Sequence, residues 1–137
     1  MKIFIKLLFI YLCFVPFLLS DEYVVISNRN LQTISKSQIK AIFLKKITII
    51  NDTKVIPISL GTKDPIRTKF EKKILKMSFI RLKNYWTKQH YLGHRPPISM
   101  QSQESIKKFV QKVQGAIGYI NAKKLDKSVK EIYRWRD

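Results

Sequence analysis

The sequence predicts an α/β protein in which helices pack on a mixed sheet. Short runs of apolar, β-branched residues alternate with segments whose apolar residues recur at helical spacing. The resulting order of elements is β-α-β-α-α-α-β-β, and strands that alternate with helices favour a sheet covered by helices. The chain has 137 residues, of which 45% are hydrophobic, enough for one packed core. We therefore expect a single folded domain.

Residues 1–20 are typical of a secretory signal peptide. A short region with two lysines precedes an almost entirely apolar run from Leu7 to Leu19. This run is shorter than the roughly 20 apolar residues that a membrane-spanning helix needs. Because Leu18 stands where a cleavage site prefers a small residue, an uncleaved membrane anchor is the alternative. We expect export to the bacterial periplasm, with residues 21–137 as the folded domain and contact with the membrane only through an uncleaved leader.

The first predicted strand and helix have clear local signals. Tyr23–Ser27 is a short apolar run with β-branched residues, which is typical of a buried strand. Ser35 and Gln38 form a capping box at the start of a helix that we expect to end near Lys45. A β-prone stretch and an Asn-Asp turn follow this helix.

The second predicted strand leads into the second helix. Val55–Leu60 is β-prone, and Pro57 within it predicts either an edge strand or an irregular start. Asp64 is a helix cap, and Pro65 takes the first helical position after it. We expect this helix to run to about Lys76.

The second half of the domain is predicted as two helices and two strands. Ser78 caps a helix whose apolar side contains Phe79 and Trp86, and Gly93 lies beyond its end. The prolines at positions 96 and 97 exclude regular structure at that point. After them the sequence predicts a helix with apolar positions at 106–113, a strand at 116–120 and an edge strand at 129–135.

The sequence contains no catalytic or metal-binding constellation. Its only cysteine, Cys13, lies in the predicted leader, and the two histidines, His90 and His94, have no cysteine partner at metal spacing. A nucleophile elbow, a Walker loop and a His-Glu-x-x-His motif are all missing from the sequence. We therefore predict no enzymatic activity, no cofactor and no metal.

The best candidate site is the loop between the second strand and the second helix. Backbone N–H groups at a helix N-terminus suit anions, and the hydroxyl groups of Ser59 and Thr62 donate hydrogen bonds to oxyanions. Gly61 lies in the same loop, where it ends the strand, and Arg67 offers a bidentate partner for an oxyanion. The alternative is an ordinary turn in which the carboxylate of Asp64 caps the helix.

Asn28 is a further candidate for the same site. It follows the first strand, and ligands in open α/β sheets bind beyond the carboxyl ends of strands. The hypothesis that follows is that Asn28 faces the same crevice as Thr62. The alternative is a polar surface turn.

The chain is strongly basic. It has 27 Lys and Arg residues against nine Asp and Glu residues, a formal charge of +18. Such a field favours anionic partners, which include phosphate, lipid headgroups, cell-wall polymers and nucleic acid. The alternative is that the charge reflects a Lys- and Ile-rich composition from an AT-rich genome, together with solubility.

Several strings resemble, in the same order, those of the short phosphate ABC transporter substrate-binding proteins, which have a type 2 periplasmic-binding-protein-like fold. The strings are Ile39–Lys46, Asn51–Ile58, Phe70, Tyr85-Trp86, Gly93 with Pro96-Pro97, and Gly115–Ile120. The resemblance covers roughly residues 23–133 and implies a single periplasmic-binding-protein-like lobe. It also implies reversible capture of phosphate or a related oxyanion, and an inner-membrane transporter as a partner.

The resemblance also indicates site residues. Family phosphate sites use a Gly-Ser-Gly-Thr-type loop and an arginine; Gly61 and Thr62 fall on that loop, and Arg67 is the candidate arginine. The rest of the loop string is absent, which keeps open a second hypothesis: a basic envelope interaction protein that keeps the fold and has lost the ligand. A third hypothesis, from charge alone, is a polyanion- or DNA-binding envelope protein, although nucleic acid is not the partner we expect.

Overall fold

The computed structural model describes residues 21–137, so the predicted signal peptide lies outside the described residues. The strands within this range are β1 (Glu22–Ser27), β2 (Ile49–Ile50), β3 (Thr53–Lys54), β4 (Ile56–Leu60), β5 (Ile98–Met100), β6 (Ala116–Asn121) and β7 (Lys130–Arg136). The α-helices are α1 (Lys36–Phe43), α2 (Pro65–Phe70), α3 (Phe79–Tyr91) and α4 (Gln103–Lys112). None of the helices described is long and apolar enough to cross a membrane.

Five strands form one mixed sheet in the order β5-β4-β6-β1-β7. Strand β4 is parallel to both β5 and β6, whereas β1 is antiparallel to both β6 and β7. Strands β2 and β3 form a separate hairpin, whose turn residues Asn51 and Asp52 both have positive φ. The prediction of a mixed sheet with helices packed on it is confirmed, and so is the edge position of the last strand.

Helices cover both faces of the sheet. A side chain on Gly118 would meet Ile106 of α4, whereas the ring of Tyr119, the next residue of β6, stacks on Phe70 of α2 at 4.1 Å between ring centroids. Since successive residues of a strand point to opposite faces, α4 lies on one face and α2 on the other. Helix α1 shares the face of α2, because Phe43 contacts Phe70 at 4.7 Å between centroids.

The helix caps form where the sequence predicts them. Ser35 and Gln38 make the reciprocal hydrogen bonds of a capping box at the start of α1. Asp64 caps α2, and its side chain accepts a hydrogen bond from the backbone N–H of Ile66 at 2.9 Å. Helix α2 continues into a π-helical turn, Glu71–Leu75, which ends at Lys76 in a left-handed conformation. The prediction of a helix to about Lys76 is therefore confirmed.

Pro57 and Pro97 lie in or next to strands that the sequence analysis predicted only in part. Strand β4 has a neighbour on each side, so the edge-strand interpretation of Pro57 is wrong. The proline is tolerated because β5 pairs with β4 only from Ile58 onward, which leaves no strand partner for an N–H at Pro57 on that side. The strand thus has the irregular start that the other interpretation of Pro57 predicts. Strand β5 was not predicted; it is three residues long and begins directly after Pro97.

Candidate functional site

The connections that follow β4 and β5 leave the sheet toward opposite faces. Strand β4 leads into α2, whereas β5 leads into α4 on the other face. The two strands are parallel neighbours, so their carboxyl ends lie side by side at the point where the connections diverge. Open α/β sheets bind ligands at such a switch point.

A crevice with a volume of about 590 Å³ opens at this switch point. Its walls come from the loop after β4 and from the end of β5: Gly61, Thr62, Lys63, Asp64, Pro65, Ser99 and Gln101. The walls present two hydroxyl groups, one amide and one ammonium group, all of which donate hydrogen bonds. The crevice is therefore suited to an oxygen-rich, anionic ligand.

The loop after β4 is a turn closed at both ends. The N–H of Asp64 donates to the carbonyl of Gly61 at 3.0 Å, and one carboxylate oxygen of Asp64 accepts from Ile66. Asp64 therefore occupies the anion position at the start of α2, as the capping interpretation of this loop predicted. Donors for a ligand must come from the side chains around the crevice and from the backbone of Thr62 and Lys63.

Ser59 is buried and does not line the crevice. Its hydroxyl oxygen is 2.7 Å from the hydroxyl oxygen of Tyr119, which also accepts the backbone N–H of Leu60 at 3.1 Å. Burial raises the pKa of Tyr119 to about 12, so its hydroxyl group stays neutral at physiological pH. Ser59 and Tyr119 thus hold the end of β4 in place.

Arg67 also supports the end of β4. One of its terminal nitrogens donates to the carbonyl of Leu60 at 2.9 Å, and its Nε donates to the carboxylate of Glu71 at 3.1 Å. Arg67 does not line the crevice, and an oxyanion that contacts it must compete with Glu71. The structure therefore places Gly61 and Thr62 in the crevice wall, whereas Ser59 and Arg67 do not line the crevice.

Asn28 lies at the opposite end of the sheet, so the expectation that it faces the same crevice as Thr62 is wrong. Strand β1 runs antiparallel to β6, which puts its carboxyl end beside the amino ends of β4 and β6. The side-chain amide of Asn28 donates to the carbonyls of Val110 and Gln111, and its oxygen accepts from the N–H of Asn30. Asn28 joins the end of α4 to the turn after β1.

Sequence reasoning missed Ser99 and Gln101. They alternate along β5 and its continuation, which is the period of one strand face, but a strand of three residues is too short for that pattern to be recognised. Lys63 lies in the predicted loop but was not singled out, because a lysine in a basic chain carries no local signal. Within residues 21–137, no group of three or more His, Cys, Asp or Glu side chains could hold a metal ion.

A second cavity, which we call the groove, lies between α2 and α3 and has a volume of about 580 Å³. Its apolar lining consists of Met77, Phe79, Leu82, Trp86, Tyr91 and Pro96. The apolar side that the sequence predicts for α3 is mostly uncovered: Leu82 is the one buried residue of this helix, and Phe79 is 69% exposed. Trp86 is half-buried in the wall of the groove.

Helix α3 is held at the margin of the domain by few contacts. The hydroxyl group of Tyr85 donates to the carbonyl of Leu44 at 2.6 Å, and the rings of Tyr85 and Trp86 meet edge to face. Burial of this hydroxyl group raises the pKa of Tyr85. The rest of the helix faces the groove or the solvent.

The described residues form an open, mixed sheet with helices on both faces and a polar crevice at its switch point, which is the architecture of a single α/β lobe. No family model matches the chain, and no curated protein sequence matches it. An ABC-type phosphate transport receptor from Vibrio cholerae has the same fold, with a TM-score of 0.67 and 21% identity over 82% of this chain and 45% of that chain.

Two further solved structures have the same fold. A putative phosphate ABC transporter substrate-binding protein with bound phosphate from Clostridium perfringens matches with a TM-score of 0.66 and 24% identity, over 82% of this chain and 44% of that chain. PstS from Borrelia burgdorferi matches with a TM-score of 0.62 and 12% identity, over 82% of this chain and 46% of that chain.

The chain spans slightly less than half the length of these structures. Its fold is that of one lobe of the phosphate ABC transporter substrate-binding proteins, which confirms the predicted fold class and the resemblance.

Proposed function

We propose that this protein binds phosphate or a related oxyanion reversibly in the crevice, without catalysis, as the substrate-binding part of a transport system. The observation that carries the proposal is the convergence of side-chain donors from two parallel strand ends at the switch point. Thr62 and Lys63 come from the loop after β4, whereas Ser99 comes from β5 and Gln101 directly follows that strand. An anion needs several donors at once, and this edge of the sheet supplies them.

The charge of the domain supports an anionic ligand. Residues 21–137 contain 25 basic and nine acidic residues, a formal charge of +16. Lys63 adds a positive charge at the crevice itself, and one oxygen of the Asp64 carboxylate is already engaged by the helix backbone. A positive field raises the local concentration of anions and their rate of association.

Three observations support phosphate and transport in particular. Two of the matched structures are phosphate transport proteins by name, and the one from Clostridium perfringens holds bound phosphate. The predicted leader is consistent with a protein that works in the periplasm, where an inner-membrane transporter would be its partner. Gly61 and Thr62, the two residues that resemble the phosphate-binding loop of the family, lie in the crevice wall.

Calorimetry with inorganic phosphate tests the proposal. Residues 21–137, which contain the whole described fold, should bind one phosphate per chain in chloride buffer of moderate ionic strength. Thr62→Ala and Ser99→Ala should each weaken binding about tenfold or more, because a hydrogen bond to a charged group contributes about 1.5–3 kcal/mol.

Thr33→Ala is the matched control for Thr62→Ala. Thr33 is an exposed threonine in the loop after β1, at the opposite end of the sheet from the crevice. Its loss should leave phosphate affinity unchanged. A well-folded protein that gives no saturable heat with phosphate would refute phosphate capture by this chain.

A further inference from the structure

The crevice and the groove meet at Thr62, which lines both cavities. The groove runs along the α2–α3 hairpin, because its lining includes residues from the start of α2, from the link between the helices and from the end of α3. Tyr91 and Pro96 lie at the same end of the hairpin as Thr62, whereas Phe79 lies at the linking end. A ligand in the crevice can therefore extend into the groove.

The combined cavity is much larger than an inorganic oxyanion. The crevice and the groove have volumes of about 590 and 580 Å³, each within the range of sites that enclose whole organic molecules. A bare phosphate ion would fill only part of the crevice and would leave the groove empty. The size therefore points to a ligand with an organic part.

Apolar side chains in the groove walls are uncovered. Phe79 is 69% exposed and Tyr91 is 85% exposed, although both are large aromatic residues on one cavity. Aromatic side chains with a free face suit an aromatic or aliphatic group, which gains by leaving water. The groove therefore offers apolar contact next to a crevice that offers hydrogen bonds.

The charges around the groove favour an anion over a neutral ligand. Lys72 and Lys83 lie in its walls, and its only acidic lining residue, Glu71, is paired with Arg67 at 3.1 Å. The formal charge of +16 on residues 21–137 also opposes the close approach of a second copy of the chain. An amphiphilic anion matches both the apolar surface and the charge.

We infer that the preferred ligand is a phosphate monoester with an aromatic or alkyl substituent, an inference that rests on the proposed function. The phosphate group binds in the crevice at Thr62, Ser99 and Gln101. The substituent lies in the groove against Tyr91 and Trp86. Inorganic phosphate then binds as the smaller and weaker member of the same ligand class.

Calorimetry with phenyl phosphate, inorganic phosphate and phenol tests this inference on residues 21–137. Phenyl phosphate should bind about tenfold more tightly than inorganic phosphate, because part of the ring leaves water in the groove. Thr62→Ala should weaken both phosphate ligands, and phenol alone should bind far more weakly than phenyl phosphate.

Two neighbouring exposed residues supply a matched pair of variants. Tyr91→Ala removes a groove aromatic that is 85% exposed, so the fold should tolerate the change, and the advantage of phenyl phosphate over inorganic phosphate should be largely lost. Leu92→Ala removes the next side chain, which is also exposed and does not line the groove, and should leave that advantage intact. Affinity for inorganic phosphate should not change in either variant.

The outcomes separate this inference from the proposed function. If phosphate binds and phenyl phosphate binds no more tightly, or if Tyr91→Ala and Leu92→Ala behave alike, the inference is overturned and phosphate capture stands. If neither phosphate ligand binds, the proposed function fails, and the inference fails with it. Tight binding of phenol alone, or a dimer in sedimentation that Tyr91→Ala dissociates, would assign the groove to another occupant and overturn the inference.

Discussion

At Gly115 there is no space for a side chain. Its φ is 77°, and a Cβ there would overlap the carbonyl oxygen of Lys54. The glycine brings the start of β6 against the β2–β3 hairpin, and its carbonyl accepts the N–H of Ile56 at 2.9 Å. The glycine at the start of the Gly115–Ile120 string is therefore required by a close backbone contact.

Gly115→Ala should destabilise the protein by roughly 3 kcal/mol or more, since a left-handed conformation costs about 1 kcal/mol and the overlap adds strain. Gly93→Ala is the control, because Gly93 also has positive φ (82°) but a Cβ added there would face open space, with no neighbouring atom within 4 Å. It should cost only about 1 kcal/mol. Urea denaturation of both variants measures the difference, and equal losses would show that the contact at Gly115 relaxes freely.

At the scale of elements, strand β7 is attached to β1 partly through charges. Glu22 accepts a hydrogen bond from Arg134 at 2.6 Å and is paired with Arg136, its partner in register across the two strands. The hydrogen bonds from Arg134 and then from Arg136 lower the pKa of Glu22 below its ordinary value of 4.5. The carboxylate form is therefore favoured more in the folded protein than in the unfolded chain.

This shift predicts the direction of an acid effect. Stability from the pair is fully present above pH 4.5 and is lost as the pH falls through the lowered pKa, because the unfolded chain then binds the proton more tightly. Glu22→Gln should therefore lose less stability than the wild type when the pH is lowered from about 5 to about 3. Chemical denaturation at each pH measures this change.

Asp21→Asn is the control for that experiment. Asp21 is adjacent to Glu22 but has no ion pair among the residues described. Its substitution should leave the pH dependence close to that of the wild type. An unchanged pH dependence in Glu22→Gln would mean that the pair with Arg134 and Arg136 is too weak in solution to matter.

At the scale of the whole molecule, positive charge is in large excess. Six of the nine acidic residues are already in ion pairs within residues 21–137, namely Glu22, Glu71, Glu104, Asp126, Glu131 and Asp137. The remaining cations have few acidic partners, so they repel one another and oppose the compact state. Screening by salt should relieve this repulsion.

We therefore expect the melting temperature of residues 21–137 to rise when sodium chloride is increased from about 0.01 M to about 0.15 M, as the Debye length falls from about 30 Å to about 8 Å. Chloride is the right salt because phosphate or sulfate could occupy the crevice and stabilise the fold by binding. A melting temperature that falls with salt would show that the surface ion pairs outweigh the repulsion. Calorimetry or circular dichroism measures it.

The sequence by itself determined the elements and the class of fold. Continuous apolar runs in β1 and β6 and the helical period of α4 predict which side chains are buried, and local hydrogen bonds at Ser35 and Asp64 set where helices begin. These signals are short-range, so they can be read along the chain. Short elements such as β5 could not be predicted, because three residues are too few to show a periodic pattern.

Only the tertiary structure decided which residues form the site. Thr62 and Ser99 are 37 positions apart and meet because β4 and β5 are parallel neighbours, whereas Asn28 is carried to the far end because β1 is antiparallel. The apolar side of α3 likewise became a groove wall and not core, because α3 packs at the margin of the domain. Strand order and direction arise from long-range pairing, and no local pattern in the sequence encodes them.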